Sequence, residues 1–94
     1  PSSEATLNKA YKTLTAYPEI SVEIQGHTDN VGSRAFNMNL SQKRAESVMA
    51  WMVAKGIDAG RMTAKGFGPD KPIVPNDSDA NKQKNRRIEF VRTK

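Results

Sequence analysis

Cysteine is absent from the 94 residues, which excludes disulfide scaffolds, thiol nucleophiles and the usual zinc fingers. The single histidine, His27, leaves hydrolytic triads and histidine-rich metal sites nothing further to draw on except scattered Asp and Glu. No stretch approaches the roughly 20 apolar residues that span a bilayer. The sequence opens Pro1-Ser2-Ser3, with neither the basic n-region nor the apolar h-region of a secretory signal, and it lacks a start methionine. It therefore reads as a mature or excised piece of a longer protein whose signal or anchor lies elsewhere. Glycines 26, 32, 56, 60, 66 and 68 match no phosphate loop. Internal repeats, heptads and low-complexity tracts are also missing.

What is present suits one domain, residues 1–94, since two cores do not fit in a chain this short. Hydrophobic side chains make up 36%, which is lean, yet they recur in ordered patterns and so separate the chain from disordered sequences of similar polarity. The net charge of +5 is unevenly placed: residues 82–94 carry Lys82, Lys84, Arg86, Arg87, Arg92 and Lys94 against Glu89, leaving the first 81 residues neutral. A basic segment on a neutral body points to an anionic partner at one edge, or to a solvated tail.

Leu7, Ala10, Tyr11 and Leu14 share one helical face within residues 4–17, with Ser2 or Ser3 as cap and Pro18 as terminator. Residues 20–25 alternate apolar and polar at period two and predict a half-buried strand that breaks at Gly26. Residues 26–39 are polar and predict a loop, with room for a short helical turn. A second helix is expected from Leu40, with Ala45, Val48, Met49 and Met52 on one face, Asn39 or Ser41 as cap and Gly56 just past the end. Residues 62–67 predict a short strand, residues 68–85 a long connection, and residues 87–92 a closing strand with Ile88 and Phe90 on one face. The order predicts an α+β domain with two helices on one face of a small mixed sheet.

Gly26-His27-Thr28-Asp29-Asn30-Val31-Gly32 falls where a strand ends, and Leu40-Ser41-Gln42-Lys43-Arg44-Ala45 opens the expected helix. Strand ends and helix starts gather ligand-binding groups. Asp29 offers an acceptor-only carboxylate and Arg44 a planar fork of donors. A ligand bearing an ammonium beside a carboxylate satisfies both; equally, the two residues pair with each other or cap local backbone, and spacing alone leaves both readings open. With Ser41 as cap, Arg44 takes the third helical position, where helix-start amides help to hold a carboxylate. His27 reads as a histidine satisfied by local hydrogen bonds.

The run Gly-His-Thr-Asp-Asn-Val-Gly after Ile20-x-Val22-x-Ile24, then Asn37-x-x-Leu-Ser-x-x-Arg-Ala-x-x-Val48, Gly56-Ile-x-x-x-Arg61, Gly66-Phe-Gly-x-x-x-Pro72 and Asn85-Arg-Arg-Ile-Glu89, resembles the OmpA-like domain family. That family includes the C-terminal domain of outer-membrane protein A, the peptidoglycan-associated lipoprotein and the flagellar stator B subunit. The resemblance implies a β-α-β-α-β-β mixed sheet whose first strand is missing from this chain, because only residues 1–3 precede the first helix. It implies non-covalent binding of peptidoglycan in the periplasm of a Gram-negative bacterium, with the diaminopimelate of the stem peptide held between Asp29 and Arg44. Asn37, Thr28, Asn30 and Arg86 match the supporting positions. No catalytic residue, metal or cofactor is implied, and the parent protein is expected to be membrane-anchored and outer-membrane associated. Without the first strand, the last strand presents an unpaired edge, so self-association through it is expected.

Two other functions compete. A nucleic-acid or other polyanion-binding module would use the basic C-terminal segment, but of the six aromatic residues only Phe90 lies there, and its phase with Ile88 points inward. A hydrolase acting on the same polymer needs two carboxylates across a cleft, whereas the acids here scatter over unrelated elements. Wall binding without chemistry, and without nucleic acid, is the expectation.

Overall fold

The structure, a computed structural model, describes the backbone of residues 2–94 and the side chains from Ala5 onward. Helix α1 spans Ser2–Ala16, so the expected cap at Ser2 or Ser3 lies outside the described side chains. Strand β1 (Val22–His27) follows, then helix α2 (Arg34–Ala54), a 3₁₀ turn (Ala59–Arg61), strand β2 (Met62–Gly68), helix α3 (Asp79–Asn85) and strand β3 (Arg87–Arg92). The sheet order is β2-β1-β3, with β2 parallel and β3 antiparallel to the central β1. Helix α2 lies over β2 and β1 while α1 lies towards β3, the α+β arrangement expected.

The core is thin. Leu14, Ile20, Val22, Ile24, Ala45, Met52, Ile57 and Met62 are buried together, and Ala10, Tyr11, Val48, Met49, Trp51, Ile88 and Phe90 pack around them. An edge-to-face contact of Tyr11 with Trp51, ring centroids 6.2 Å apart, joins the two long helices. Arg61 donates to the carbonyls of Leu14, Tyr17 and Ile20, tying the end of α1 and the approach to β1 back to the 3₁₀ turn.

Three elements differ from expectation. Helix α2 begins at Arg34 rather than Leu40, and its cap is Ser33, whose Oγ accepts the Phe36 amide at 3.1 Å. Its buried stripe is Asn37, Ser41, Ala45 and Met52, so the first half of that stripe is polar and leaves no apolar periodicity to read. Strand β1 runs through Gly26 instead of breaking there. A Cβ at Gly26 would sit 2.9 Å from the Ser41 carbonyl carbon, and one at Gly66, its partner on β2, would sit 2.7 Å from the Gln42 Cα. The two glycines thus let α2 lie directly on the sheet. The long connection contains α3, capped by Ser78 and too polar to show a buried face.

Strand β3 forms the outer edge of the sheet, and the strand that the resemblance placed beside it is not among the described residues. Between β3 and α1 lies a cleft of about 650 Å³, lined by apolar groups including Ala10, Leu14, Val22 and Phe90, with Lys9 and Arg92 in its walls.

Candidate ligand-binding site

The end of β1 is pinned before the chain turns away from the sheet. The Thr28 amide donates to the Gly68 carbonyl at 2.9 Å, and its hydroxyl donates to the Asp29 carbonyl at 2.8 Å. His27, Thr28 and Asp29 are all buried. The Asp29 carboxylate is held at both oxygens: Oδ1 accepts the Val31 amide at 3.0 Å, and Oδ2 takes an ion pair from Arg86 Nη1. Asn37, buried in the first turn of α2, donates to the Val31 carbonyl at 2.9 Å and reaches the Asp29 carbonyl at 3.5 Å. Burial alone would push the Asp29 carboxyl up, but the Val31 amide and the Arg86 guanidinium outweigh it and hold the group below its ordinary value. The result is a buried carboxylate kept ionised at a loop between strand and helix.

Arg86 is brought to Asp29 across 57 residues of sequence by the turn from α3 into β3. Its neighbour Asn85 is fully buried and fixes that turn: Oδ1 accepts the amides of Ile73 and Val74, and Nδ2 donates to the Val74 carbonyl and to Asn76. Sequence reasoning missed this role of Asn85, although the residue opens the Asn-Arg-Arg run. It also missed Ser41 and Gln42 as clamps on β2. Ser41 Oγ accepts the Gly68 amide at 2.9 Å, while Gln42 accepts from the Gly66 amide at 2.7 Å and donates to the Ala64 carbonyl at 3.0 Å.

The structure therefore gathers Thr28, Asp29, Asn37 and Arg86. Asn30 lies exposed in the loop between them. Arg44 is exposed on α2 and makes no ion pair among the described residues, so Asp29 and Arg44 do not pair with each other. Ser41 is an interior residue of α2 and not its cap, hence Arg44 sits mid-helix and the helix-start amides are not beside it. Seven residues separate Arg44 from Asn37, which places them within about 20° of each other around the helix and about 10 Å apart along it.

Next to the site, the His27 ring stacks on Phe67 at 5.4 Å between centroids, and Nε2 lies 3.2 Å from Gln25 Oε1. The expected local satisfaction is only half met, because Nδ1 is buried without a partner. Burial first, then the Arg87 charge, lowers the His27 pKa from its ordinary value, while Glu89 opposes them. Phe90, the aromatic residue of the basic segment, packs against the core.

A family model for the OmpA family matches residues 1–86. The probable lipoprotein YiaD of Escherichia coli is 39% identical over 97% of the chain, and the peptidoglycan-binding protein ArfA of Mycobacterium tuberculosis is 37% identical over 97%. The chain spans only 42% and 28% of the lengths of those two proteins. Among solved structures, the peptidoglycan-associated lipoprotein of Burkholderia pseudomallei superposes with a TM-score of 0.87 at 32% identity, covering 98% of this chain and 78% of that one. Sequence motifs, sheet topology and these likenesses agree, and the chain belongs to the OmpA family.

Proposed function

We propose that this domain binds peptidoglycan non-covalently in the periplasm, through the diaminopimelate of the stem peptide, and so anchors an outer-membrane-associated parent protein to the cell wall. The observation that carries the reading is the buried, ionised Asp29 in the loop between β1 and α2, with Arg44 exposed on α2 and in no ion pair among the described residues. Asp29 takes the ligand's ammonium. Helical side chains lean towards the N-terminus, and the Asp29 loop lies beyond the N-terminal end of α2, the direction in which Arg44 would reach for the ligand. On this reading Arg44 clasps the ligand's carboxylate with two donors. Thr28 and Asn37 hold the loop in shape, while Asn30 and Arg86 supply further polar groups at the mouth.

The domain performs no reaction on this reading. Sedimentation of the protein with purified sacculi tests it: the unaltered chain is expected to pellet with diaminopimelate-containing wall, and Asp29→Asn and Arg44→Lys are expected to stay largely in solution. Release of soluble wall fragments during the incubation would contradict a pure binder. We further propose that two copies associate through the edge of β3 that pairs with no strand among the described residues, where Phe90 is only half-buried and Val91 is 40% exposed. A strictly monomeric chain at high concentration in analytical ultracentrifugation would refute the association.

A further inference from the structure

Both oxygens of the Asp29 carboxylate carry a partner before any ligand arrives. The Val31 amide occupies one oxygen, Arg86 occupies the other, and the side chain is only 8% exposed. Each oxygen keeps a second lone pair, but on a side chain this buried an incoming ammonium has little room to reach it while Arg86 stays in place. Crowding a second full cation beside Arg86 is opposed by Arg86 itself and by Lys82, whose charge also acts on Asp29. Arg86, in contrast, is 44% exposed on the side chain, and its guanidinium makes no other hydrogen bond among the described residues. It is the one partner of Asp29 that is free to leave, since Val31 is held by the backbone and by Asn37.

We infer that Arg86 is an exchangeable stand-in for the ligand's ammonium, and that its displacement from Asp29 makes the site select zwitterionic ligand ends over purely cationic ones. The inference rests on the wall-binding reading and assigns Arg86 a role in specificity rather than a generic supporting contact. A ligand end carrying only an ammonium replaces one cation on Asp29 by another and sends Arg86 into water, a swap with little net gain. A ligand end carrying a carboxylate on the same carbon as the ammonium delivers an acceptor next to the position Arg86 has just left. The guanidinium then moves a short way and re-forms a charge-assisted pair, so one ion pair becomes two.

Removing Arg86 should therefore weaken binding of the zwitterionic ligand end but not of the purely cationic one. Isothermal titration of the unaltered chain, Arg86→Ala and Arg86→Gln with a diaminopimelate-containing stem peptide and with its lysine counterpart reads this directly. Arg86→Gln keeps a neutral donor for Asp29 and guards against loss of the fold in the alanine variant. The expected result is that both variants bind the diaminopimelate peptide about tenfold more weakly, the loss of one charge-assisted bond. They bind the lysine peptide as tightly as the unaltered chain or several-fold more tightly, so that the preference collapses. Equal weakening towards both peptides, or an unchanged preference, would overturn the exchange and leave Arg86 a contact without selectivity. Failure of the unaltered chain to bind either peptide would overturn the wall-binding reading itself, and the exchange with it.

Discussion

Replacing Gly26 by alanine tests whether the close seating of α2 on the sheet holds the fold together. The added methyl would lie 2.9 Å from the Ser41 carbonyl carbon and 3.2 Å from its Cα, with the carbonyl oxygen nearer still. Every one of these neighbours is backbone, so no side chain can rotate away and the helix itself must lift. Forcing an extra carbon into a packed contact costs about 1–3 kcal/mol. Lifting α2 also stretches the clamps of Ser41 and Gln42 on β2, each worth about 0.5–1.5 kcal/mol. A total near 3 kcal/mol is a large share of the ~5–15 kcal/mol that holds a small domain together. In urea, with a slope of about 1–1.5 kcal/mol/M, this moves the midpoint down by roughly 2–3 M. Gly60→Ala is the control, because its new methyl would meet only the Asp58 carboxylate at 3.3 Å and its backbone is not left-handed. Since α2 also carries Asn37 and Arg44, Gly26→Ala should weaken wall binding as well. A Gly26→Ala midpoint within about 0.5 M of the Gly60→Ala midpoint would refute the argument.

Asn85→Ala strands the amides of Ile73 and Val74 and frees the α3–β3 turn, so a loss of about 2–4 kcal/mol and faster proteolytic cleavage within residues 69–78 are expected. Arg61→Lys keeps the charge but cannot span three carbonyls, and should lower stability by about 1–2 kcal/mol in the same urea assay. His27 binds its proton less readily folded than unfolded, so the unfolded chain holds more protons just below the ordinary value of 6.5. Stability should consequently fall as pH drops through 6.5 towards the folded pKa, and His27→Gln should flatten that slope; a parallel pH dependence in the two proteins would refute the assignment. Asp29 acts in the same sense at lower pH: its lowered pKa contributes stability above 3.8 that is lost as the pH falls through the folded value, a loss that Asp29→Asn should remove.

Much of the fold was legible because its signals are local. The alternation of Ile20, Val22 and Ile24 marks β1, and the Leu7, Ala10, Tyr11, Leu14 face marks α1, since in both cases the buried side is apolar. The first turns of α2 were not legible because Asn37 and Ser41 occupy its buried stripe, satisfied by loop backbone six residues back and by strand backbone 27 residues on. Gly26 reads as a strand breaker to any local rule, and only the helix packed against it shows why a side chain is excluded. Helix α3 has no apolar face; Ser78 as cap and Asp79 in the first turn were its only signals. At the site, Asp29 and its loop stand out from the motif alone. The ion pair that governs Asp29 does not, because Arg86 arrives from the opposite end of the chain through the burial of Asn85.

The central claim, that the domain reads a diaminopimelate end, is tested most directly by titrating the unaltered chain with two stem peptides that differ only in the carboxylate separating diaminopimelate from lysine. The lysine peptide offers the arginine fork no carboxylate, and forgoing one charge-assisted, bidentate pair corresponds to an affinity lower by about tenfold or more. A clear preference of that size for the diaminopimelate peptide is the predicted result; equal affinity for the two peptides would contradict it.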